Sequence, residues 1–159
     1  MNSKSVLADF QFLGNRVSKL VLDTRLIEEE KGRAEVTIDF DYKVNEVETK
    51  ENKFLATLSL IIQVKAKIKN KILFRVELEM DGLFAGDARE ISQEKFMNML
   101  EMNGLVTLLH ISRAYLLSVT SQSGIQPPVK IPMINVLKLR EKKARQMQDE
   151  KIRNGITDD

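Results

Sequence analysis

The sequence contains no cysteine and only one histidine, His110. The absence of cysteine excludes disulfides, thiolate metal sites and a cysteine nucleophile. His110 lies among leucines in a helical pattern, and no serine, aspartate or second histidine is spaced around it as a catalytic triad would require. We therefore predict no catalytic residues, no metal site and no cofactor, and we expect that the protein is not an enzyme.

Long hydrophobic runs and a large charge excess are also missing. No apolar run approaches the roughly 20 residues of a membrane span, and Asp9 interrupts the short apolar patch at the N-terminus. The net charge is only +2 over 159 residues, which is too small to attract nucleic acid to the whole surface. The expectation is one cytoplasmic domain over residues 1–159, whose basic excess lies in a charged C-terminal helix and tail at residues 135–159.

The chain is instead rich in long alternating patterns. Residues 54–68 place an apolar side chain at every second position, and residues 34–44 and 72–84 do the same. A run of about 15 residues is much longer than the usual strand of about 5–6 residues. Short connections between the runs favour sequential antiparallel pairing. With a first segment from Val6 to Ile27, bent near Gly14-Asn15, they predict a four-stranded sheet.

After residue 86 the period becomes helical. Ser92 is a predicted N-cap, with Ile91 and Phe96 as a hydrophobic staple, and Asn103-Gly104 is a predicted break within the following helix. A loop at 124–132 precedes a charged helix that starts at Asn135 and ends near Gly155. The predicted fold class is α+β, a four-stranded antiparallel meander sheet with long strands, followed by a long broken helix and a C-terminal helix packed on one face.

Two helical segments of this length are too small to cover both the sheet and themselves, so apolar surface is expected to remain for oligomerisation or for a polypeptide partner. The predicted uncovered groove is bordered by Val36, Ile38, Phe40, Tyr42, Ile134, Val136, Leu137 and Leu139. On the long helix, Val106, Ile111, Tyr115 and Leu117 point away from the first apolar stripe, so this face could contact a second subunit.

Charged side chains suggest two further sites. Glu35, Asp39 and Asp41 share one strand face, where they could hold a divalent cation, although an ordinary solvated face is the favoured interpretation. A row of lysines and the basic final helix leave nucleic-acid binding or assembly as the alternative function. Acidic residues on the predicted partner strands and the lack of interleaved aromatics argue against it. The lysines of this row are Lys65, Lys67, Lys69 and Lys71.

The order of these elements resembles the SecB family of bacterial protein-export chaperones. The shared features are the four strands, a Gly-aliphatic-Phe end at Gly82-Leu83-Phe84, a broken helix with Arg113, a Gly/Pro loop, and a final helix from Asn135-Val136-Leu137-Lys138-Leu139. The resemblance implies a homotetramer, a dimer of dimers with the long helix at the subunit interfaces. The residues expected at these interfaces are then Val106, Leu109, Ile111, Arg113 and Leu117. It also implies apolar grooves that bind unfolded or precursor polypeptides without ATP.

The chain departs from the family at positions that the family uses for export. Glu77 matches one of the acidic contacts for the translocase motor SecA, but Leu20 and Thr24 stand where other acidic residues are expected. Leu109-His110-Ile111-Ser112 replaces an aromatic-rich element, and a basic helix ending in Asp158-Asp159 replaces the acidic tail. The predicted function is an ATP-independent holdase for protein export or for a dedicated client, such as the antitoxin of a toxin–antitoxin system.

Overall fold

The computed structural model describes residues 7–25, 32–45 and 47–155. The strands are β1 (Phe10–Thr24), β2 (Glu35–Val44), β3 (Glu48–Lys50), β4 (Lys53–Ile68) and β5 (Lys71–Asp87). The helices are α1 (Gln93–Met99), a π-helical segment (Leu100–Gly104), α2 (Leu105–Ser121) and α3 (Val136–Arg153). Val6, Ile27 and Asp158-Asp159, which figure in the sequence predictions, lie outside the described residues.

The strands form one antiparallel sheet in the order β1-β5-β4-β2, with β3 pairing to β4 beside β2. The α+β class and the sequential pairing of β2, β4 and β5 are confirmed. The expected pairing of β1 with β2, its neighbour in sequence, is wrong. Strand β1 pairs with β5 instead and forms the edge of the sheet opposite β2. The connection at residues 25–34 is long enough to span the three strand spacings, about 14 Å, that separate β1 from β2. The topology is therefore a Greek key.

The tight turns of the meander follow from their backbone angles. Lys69 and Asn70, between β4 and β5, have φ values of 47° and 67°. Glu51 and Asn52, between β3 and β4, have φ values of 51° and 62°. Two consecutive left-handed residues form a type I′ turn, whose twist matches that of the flanking strands. Asparagine tolerates this conformation better than most residues, which explains hairpins here without glycine.

The helices cover one side of the sheet, here called the helix face, and leave the opposite side as the open face. Even-numbered side chains of β4 and β5 point to the helix face, and Leu58, Leu60, Ile62 and Leu78 are fully buried there. Gly82 allows α2 to approach closely, since a Cβ at this position would lie 2.8 Å from Leu108 Cδ2. The core therefore lies between α1–α2 and the two central strands.

The predicted helix boundaries are confirmed. Ser92 Oγ accepts a hydrogen bond from Lys95 N at 3.1 Å, and Asn135 Oδ1 accepts one from Lys138 N at 3.1 Å. The predicted break at Asn103-Gly104 coincides with the end of the π-helical segment. Of the helices in residues 7–25, 32–45 and 47–155, none is long and apolar enough to cross a membrane.

Candidate functional site

An apolar depression of about 300 Å³ lies where β2 meets the start of α3. Ile38 and Phe40 of β2 form one wall, and Ile134 and Leu139 form the other. Asn135, Lys138 and Lys142 line the α3 side and Asp39 lines the β2 side, so the apolar floor has a polar rim with two lysines and one aspartate. The predicted groove residues Ile38, Phe40, Ile134 and Leu139, on two segments about 100 residues apart in the sequence, therefore lie together at this depression.

The predicted groove residues divide into an accessible set and a buried set. Val36 and Leu137 are 55% and 57% exposed, while Ile38, Phe40 and Ile134 are half-buried. Tyr42, Val136 and Leu139 are less than 10% exposed and belong to the core of the protomer. Their prediction as open groove residues is corrected, because α3 packs onto β2 through these side chains. We define the candidate groove as Val36, Ile38, Phe40, Ile134 and Leu137, with Leu139 at its base.

Two ion pairs hold α3 in this position. Arg140 Nε lies 3.0 Å from Glu101 Oε2, and Lys143 Nζ lies 2.9 Å from Asp41 Oδ1. Only Val136 and Leu139 of the helix are buried. The two ion pairs are therefore a large part of the contact between α3 and the rest of the protomer. The π-helical segment is what presents Glu101 to α3, in line with the common placement of such segments at functional sites.

Tyr42 connects this ion-pair cluster to the sheet. Its hydroxyl donates to Glu101 Oε2 at 3.5 Å, and its ring lies 6.0 Å from Lys143 Nζ. Burial of the phenol, followed by the negative charge of Glu101, raises the pKa of Tyr42 to about 12. The Tyr42 hydroxyl is therefore kept protonated as a hydrogen-bond donor.

Arg113 fixes the loop that leads into the groove. Its Nε donates to the Ile131 carbonyl at 2.8 Å and its Nη2 donates to the Pro132 carbonyl at 3.1 Å. Thr120 Oγ1 accepts from Val129 N at 2.9 Å in the same loop. Arg113 was predicted at the oligomer interface; within the protomer it holds the backbone at Ile131 and Pro132, just before Ile134.

The other predicted interface residues lie on different sides of α2. Val106 and Leu117 are 40% and 37% exposed, and Ile111 is half-buried. Leu109 is 4% exposed because it points to the core, so its placement at an interface is corrected. His110 is exposed, and its Nδ1 lies 3.2 Å from Arg113 Nη1.

The sequence analysis missed an apolar row on β1. Phe12, Val17 and Leu20 lie on the helix face beyond the cover of α2 and are 36–39% exposed. Register shifts between Phe12 and Gly14 and between Val17 and Lys19 interrupt the period of two. Because each bulge changes which side the next residue faces, simple alternation in the sequence does not reveal this row.

The open face of the sheet carries mixed charge. Glu77, the candidate translocase contact, pairs with Lys19 at 3.0 Å, and the hydrogen bond from Lys19 lowers the pKa of Glu77. Asp81 accepts from Ser59 Oγ at 2.7 Å and from Arg16 Nε at 3.1 Å. A polar depression of about 480 Å³ on this face is lined by acids and bases together, including Glu35, Asp39, Lys65, Lys67 and Arg75.

The suggested cation site is not assembled. Asp41 Oδ1 accepts from Tyr42 N at 2.8 Å and pairs with Lys143. Among residues 7–25, 32–45 and 47–155, no group of three metal-binding side chains converges.

Comparisons with known proteins identify the family and the fold. The family model described as preprotein translocase subunit SecB matches residues 21–147, while a search of curated proteins finds no match. A similar solved structure is the SecB-like chaperone of Mycobacterium tuberculosis in complex with a ChAD peptide from the HigA1 antitoxin. It superposes with a TM-score of 0.60 at 13% identity, covering 80% of this chain and 91% of that chain.

A protein of unknown function from Streptococcus agalactiae gives a TM-score of 0.42 at 15% identity, covering 78% of this chain and 97% of that one. The family match covers the end of β1, all of the other four strands, all of α1 and α2, and the part of α3 that borders the groove. The chain therefore belongs to the SecB family of chaperones.

Proposed function

We propose that this protein is a nucleotide-independent holdase of the cytoplasm that binds apolar segments of non-native polypeptides in the candidate groove. The observation that carries this proposal is the accessible apolar strip along β2 and the start of α3, in a chain of the SecB chaperone family. A groove of this kind suits partners that share no sequence, since the hydrophobic effect is non-directional.

The size of the groove favours weak contacts that are repeated. Burying apolar surface contributes about 25 cal/mol per Å², so a few half-exposed side chains give modest affinity per segment. Several segments of one unfolded chain engaging several grooves raise the overall affinity without any new contact. This is the physical reason for proposing a homotetramer, with Val106 and Leu117 of α2 among the surfaces available for subunit contact.

We further propose that the client is a dedicated polypeptide, such as an antitoxin, rather than a broad set of export precursors delivered to SecA. Glu77 is already paired with Lys19, and cations interrupt the acidic residues of the open face. A cationic docking partner would therefore meet a surface of mixed charge rather than a uniformly acidic one. The Mycobacterium tuberculosis protein, which shares the fold, was solved with an antitoxin peptide, and this supports the proposal.

The holdase function is tested by light scattering from a guanidinium-denatured enzyme, such as citrate synthase, diluted into buffer without nucleotide. The wild-type protein is expected to suppress aggregation at a few-fold molar excess. Val36→Asp, which places a charge in the groove at a 55% exposed position, is expected to lose most of this protection.

The matched control is Leu83→Asp, which introduces the same charge at a 42% exposed position on the open face. It is expected to protect like the wild type. Equal protection by both variants would contradict the groove, and no protection by the wild-type protein would contradict the holdase function.

The alternative, nucleic-acid binding through Lys65 and Lys67, is tested by fluorescence anisotropy with a labelled single strand at low salt. Carboxylates interleave with these lysines in the open-face depression, so we expect no binding that falls steeply with salt. Salt-dependent binding that Lys65→Glu removes would favour the alternative.

A further inference from the structure

Strand β2 is an edge of the sheet, because β4 pairs along its inner side and no described strand pairs along its outer side. An open edge presents a row of backbone N–H and C=O groups that can bind another strand. Which residues present these groups follows from the pairing with β4.

The inner and outer backbone groups of β2 alternate without interruption. Asn45 N donates to the Thr57 carbonyl at 3.0 Å, which makes that pair a hydrogen-bonded one. The register from Glu35↔Lys67 to Val44↔Leu58 contains no bulge. In an antiparallel ladder every second residue bonds to a given neighbour. The odd-numbered residues therefore bond to β4, and the N–H and C=O groups of Val36, Ile38 and Phe40 point outward.

The same three residues carry the apolar wall of the groove. Their side chains point to the helix face, where Ile38 and Phe40 line the 300 Å³ depression with Ile134 and Leu139. No other described residue hydrogen-bonds to the outward backbone groups of Val36, Ile38 or Phe40. Unused hydrogen-bonding groups and unfilled apolar space thus coincide along one stretch of five residues.

The open stretch ends at Tyr42. The outward N–H of Tyr42 donates to Asp41 Oδ1 at 2.8 Å, and Lys143 Nζ contacts the same carboxylate oxygen at 2.9 Å. The Asp41 carboxylate therefore takes the position that a pairing strand would need. Residues 36–40 are accessible to a strand, and the position after them is closed.

We propose that a client binds as an extended segment that adds an antiparallel strand to β2 at Val36–Phe40. This inference rests on the proposed function and specifies the conformation of the client. The bound segment has about five residues, roughly 17 Å long, with apolar side chains at every second position. The client residues opposite Val36, Ile38 and Phe40 point their side chains to the helix face. These client residues are therefore the apolar ones.

The other edge of the sheet is less suited to this role. Strand β1 changes register twice, between Phe12 and Gly14 and between Val17 and Lys19. Its outward backbone groups therefore do not form one regular series that a short extended peptide could match. Leu20, with its outward amide and 36% exposed side chain, provides a control position on that edge.

The first test uses a synthetic labelled peptide that alternates valine and threonine over eight residues between terminal glutamates. One version carries N-methyl groups on two central valine amides and another carries them on two central threonine amides. In antiparallel addition only the valine amides face β2. We expect the valine-methylated peptide to bind about tenfold more weakly or worse, and the threonine-methylated peptide to bind like the parent.

The outcomes separate the two proposals. Equal affinity of both methylated peptides would overturn strand addition while leaving groove binding intact. Loss confined to the threonine-methylated peptide would also overturn the antiparallel arrangement, since that pattern belongs to parallel pairing. No binding of the parent peptide, together with no suppression of aggregation, would contradict the proposed function itself.

The second test removes one outward N–H from the protein. Ile38→Pro and Ile38→Ala both delete the isoleucine side chain, but only proline lacks the amide hydrogen, and the pairing with β4 uses the odd-numbered residues. With folding checked by circular dichroism, Ile38→Pro is expected to bind the parent peptide several-fold more weakly than Ile38→Ala. Leu20→Pro is expected to leave peptide affinity unchanged. A larger loss in Leu20→Pro than in Ile38→Pro would place the client on β1 and overturn the proposal.

Discussion

Two buried serines show how much a single hydroxyl depends on its surroundings. Ser59 Oγ donates to Asp81 at 2.7 Å, on the open face of the sheet. Ser112 Oγ is fully buried on α2, and none of the described residues provides it with a hydrogen-bond partner. A buried polar group without a partner costs about 1–3 kcal/mol, so the two residues affect the free energy of unfolding in opposite directions.

Ser112→Ala is therefore expected to increase the free energy of unfolding by about 1 kcal/mol, since the unpaired hydroxyl is removed and alanine favours the helix. Ser59→Ala is the matched control and is expected to decrease it by about 1–3 kcal/mol, because Asp81 loses a donor. Urea denaturation followed by circular dichroism measures both. A destabilised Ser112→Ala variant would show that this hydroxyl has a partner in solution.

Tyr42 makes stability dependent on alkaline pH. Its pKa is about 12 in the folded state, compared with 10 for a free phenol, because burial and Glu101 disfavour the phenolate. A raised pKa means that this contribution to stability is complete below pH 10 and is lost as the pH rises toward 12. The chain has two tyrosines, so the titration of each is separable by mutation.

We expect absorbance at 295 nm to show one phenol that ionises only near pH 12, and Tyr42→Phe to remove it. The variant should also lose less stability than the wild type between pH 10 and pH 12. A late-ionising phenol that persists in Tyr42→Phe would contradict the assignment of the raised pKa to Tyr42.

At the scale of elements, α3 depends on charge more than on apolar packing. Arg140 pairs with Glu101 at 3.0 Å and donates to Asn98 Oδ1 at 3.3 Å, and both charged side chains of the pair are only about a quarter exposed. Arg145, by contrast, lies 4.0 Å from Glu141 with both side chains largely exposed. Exposed pairs of this kind contribute little, typically below about 0.5 kcal/mol.

Arg140→Ala is expected to lower the free energy needed to detach α3 from β2 by about 1 kcal/mol. This corresponds to roughly fivefold faster amide exchange in this helix. Hydrogen–deuterium exchange followed by mass spectrometry measures this directly. Arg145→Ala, the control on the exposed side of the same helix, should leave exchange unchanged. Equal acceleration in the two variants would mean that the Arg140–Glu101 pair does not hold the helix.

At the scale of the whole molecule, apolar side chains remain exposed at the groove, on α2, along β1 and at Leu83 on the open face. Val106 and Leu117 on α2 and the β1 row of Phe12, Val17 and Leu20 lie outside the candidate groove. Exposed apolar side chains that cluster on defined elements are typical of interaction surfaces. A homotetramer would cover part of this surface and place several grooves on one particle.

Light scattering coupled to size-exclusion chromatography is expected to give a mass four times the 18.2 kDa of one chain. Val106→Asp combined with Leu117→Asp should lower that mass, because a carboxylate in an apolar interface is costly to desolvate. Val36→Asp, in the groove, should leave the mass unchanged. A monomeric wild-type protein would contradict the proposed assembly.

Local patterns in the sequence were sufficient for most elements of this fold, although they did not predict the short strand β3. The alternation over residues 34–44, 54–68 and 72–84 predicted the three meander strands, and Ser92 and Asn135 predicted the helix starts. These features depend on neighbours within a few residues, such as the period of two and the capping hydrogen bond. For that reason they can be derived without knowing the tertiary structure.

Only the tertiary structure decided which apolar residues are covered and which strand forms each edge. Tyr42, Leu109, Val136 and Leu139 have the same apolar character as their exposed neighbours, and it is the docking of α2 and α3 that buries them. The pairing of β1 with β5, and the outward backbone groups of Val36, Ile38 and Phe40, result from contacts between distant segments. Burial and strand order are properties of the folded chain, because they depend on which surfaces meet. A pattern of residue types shows only which surfaces need to be covered.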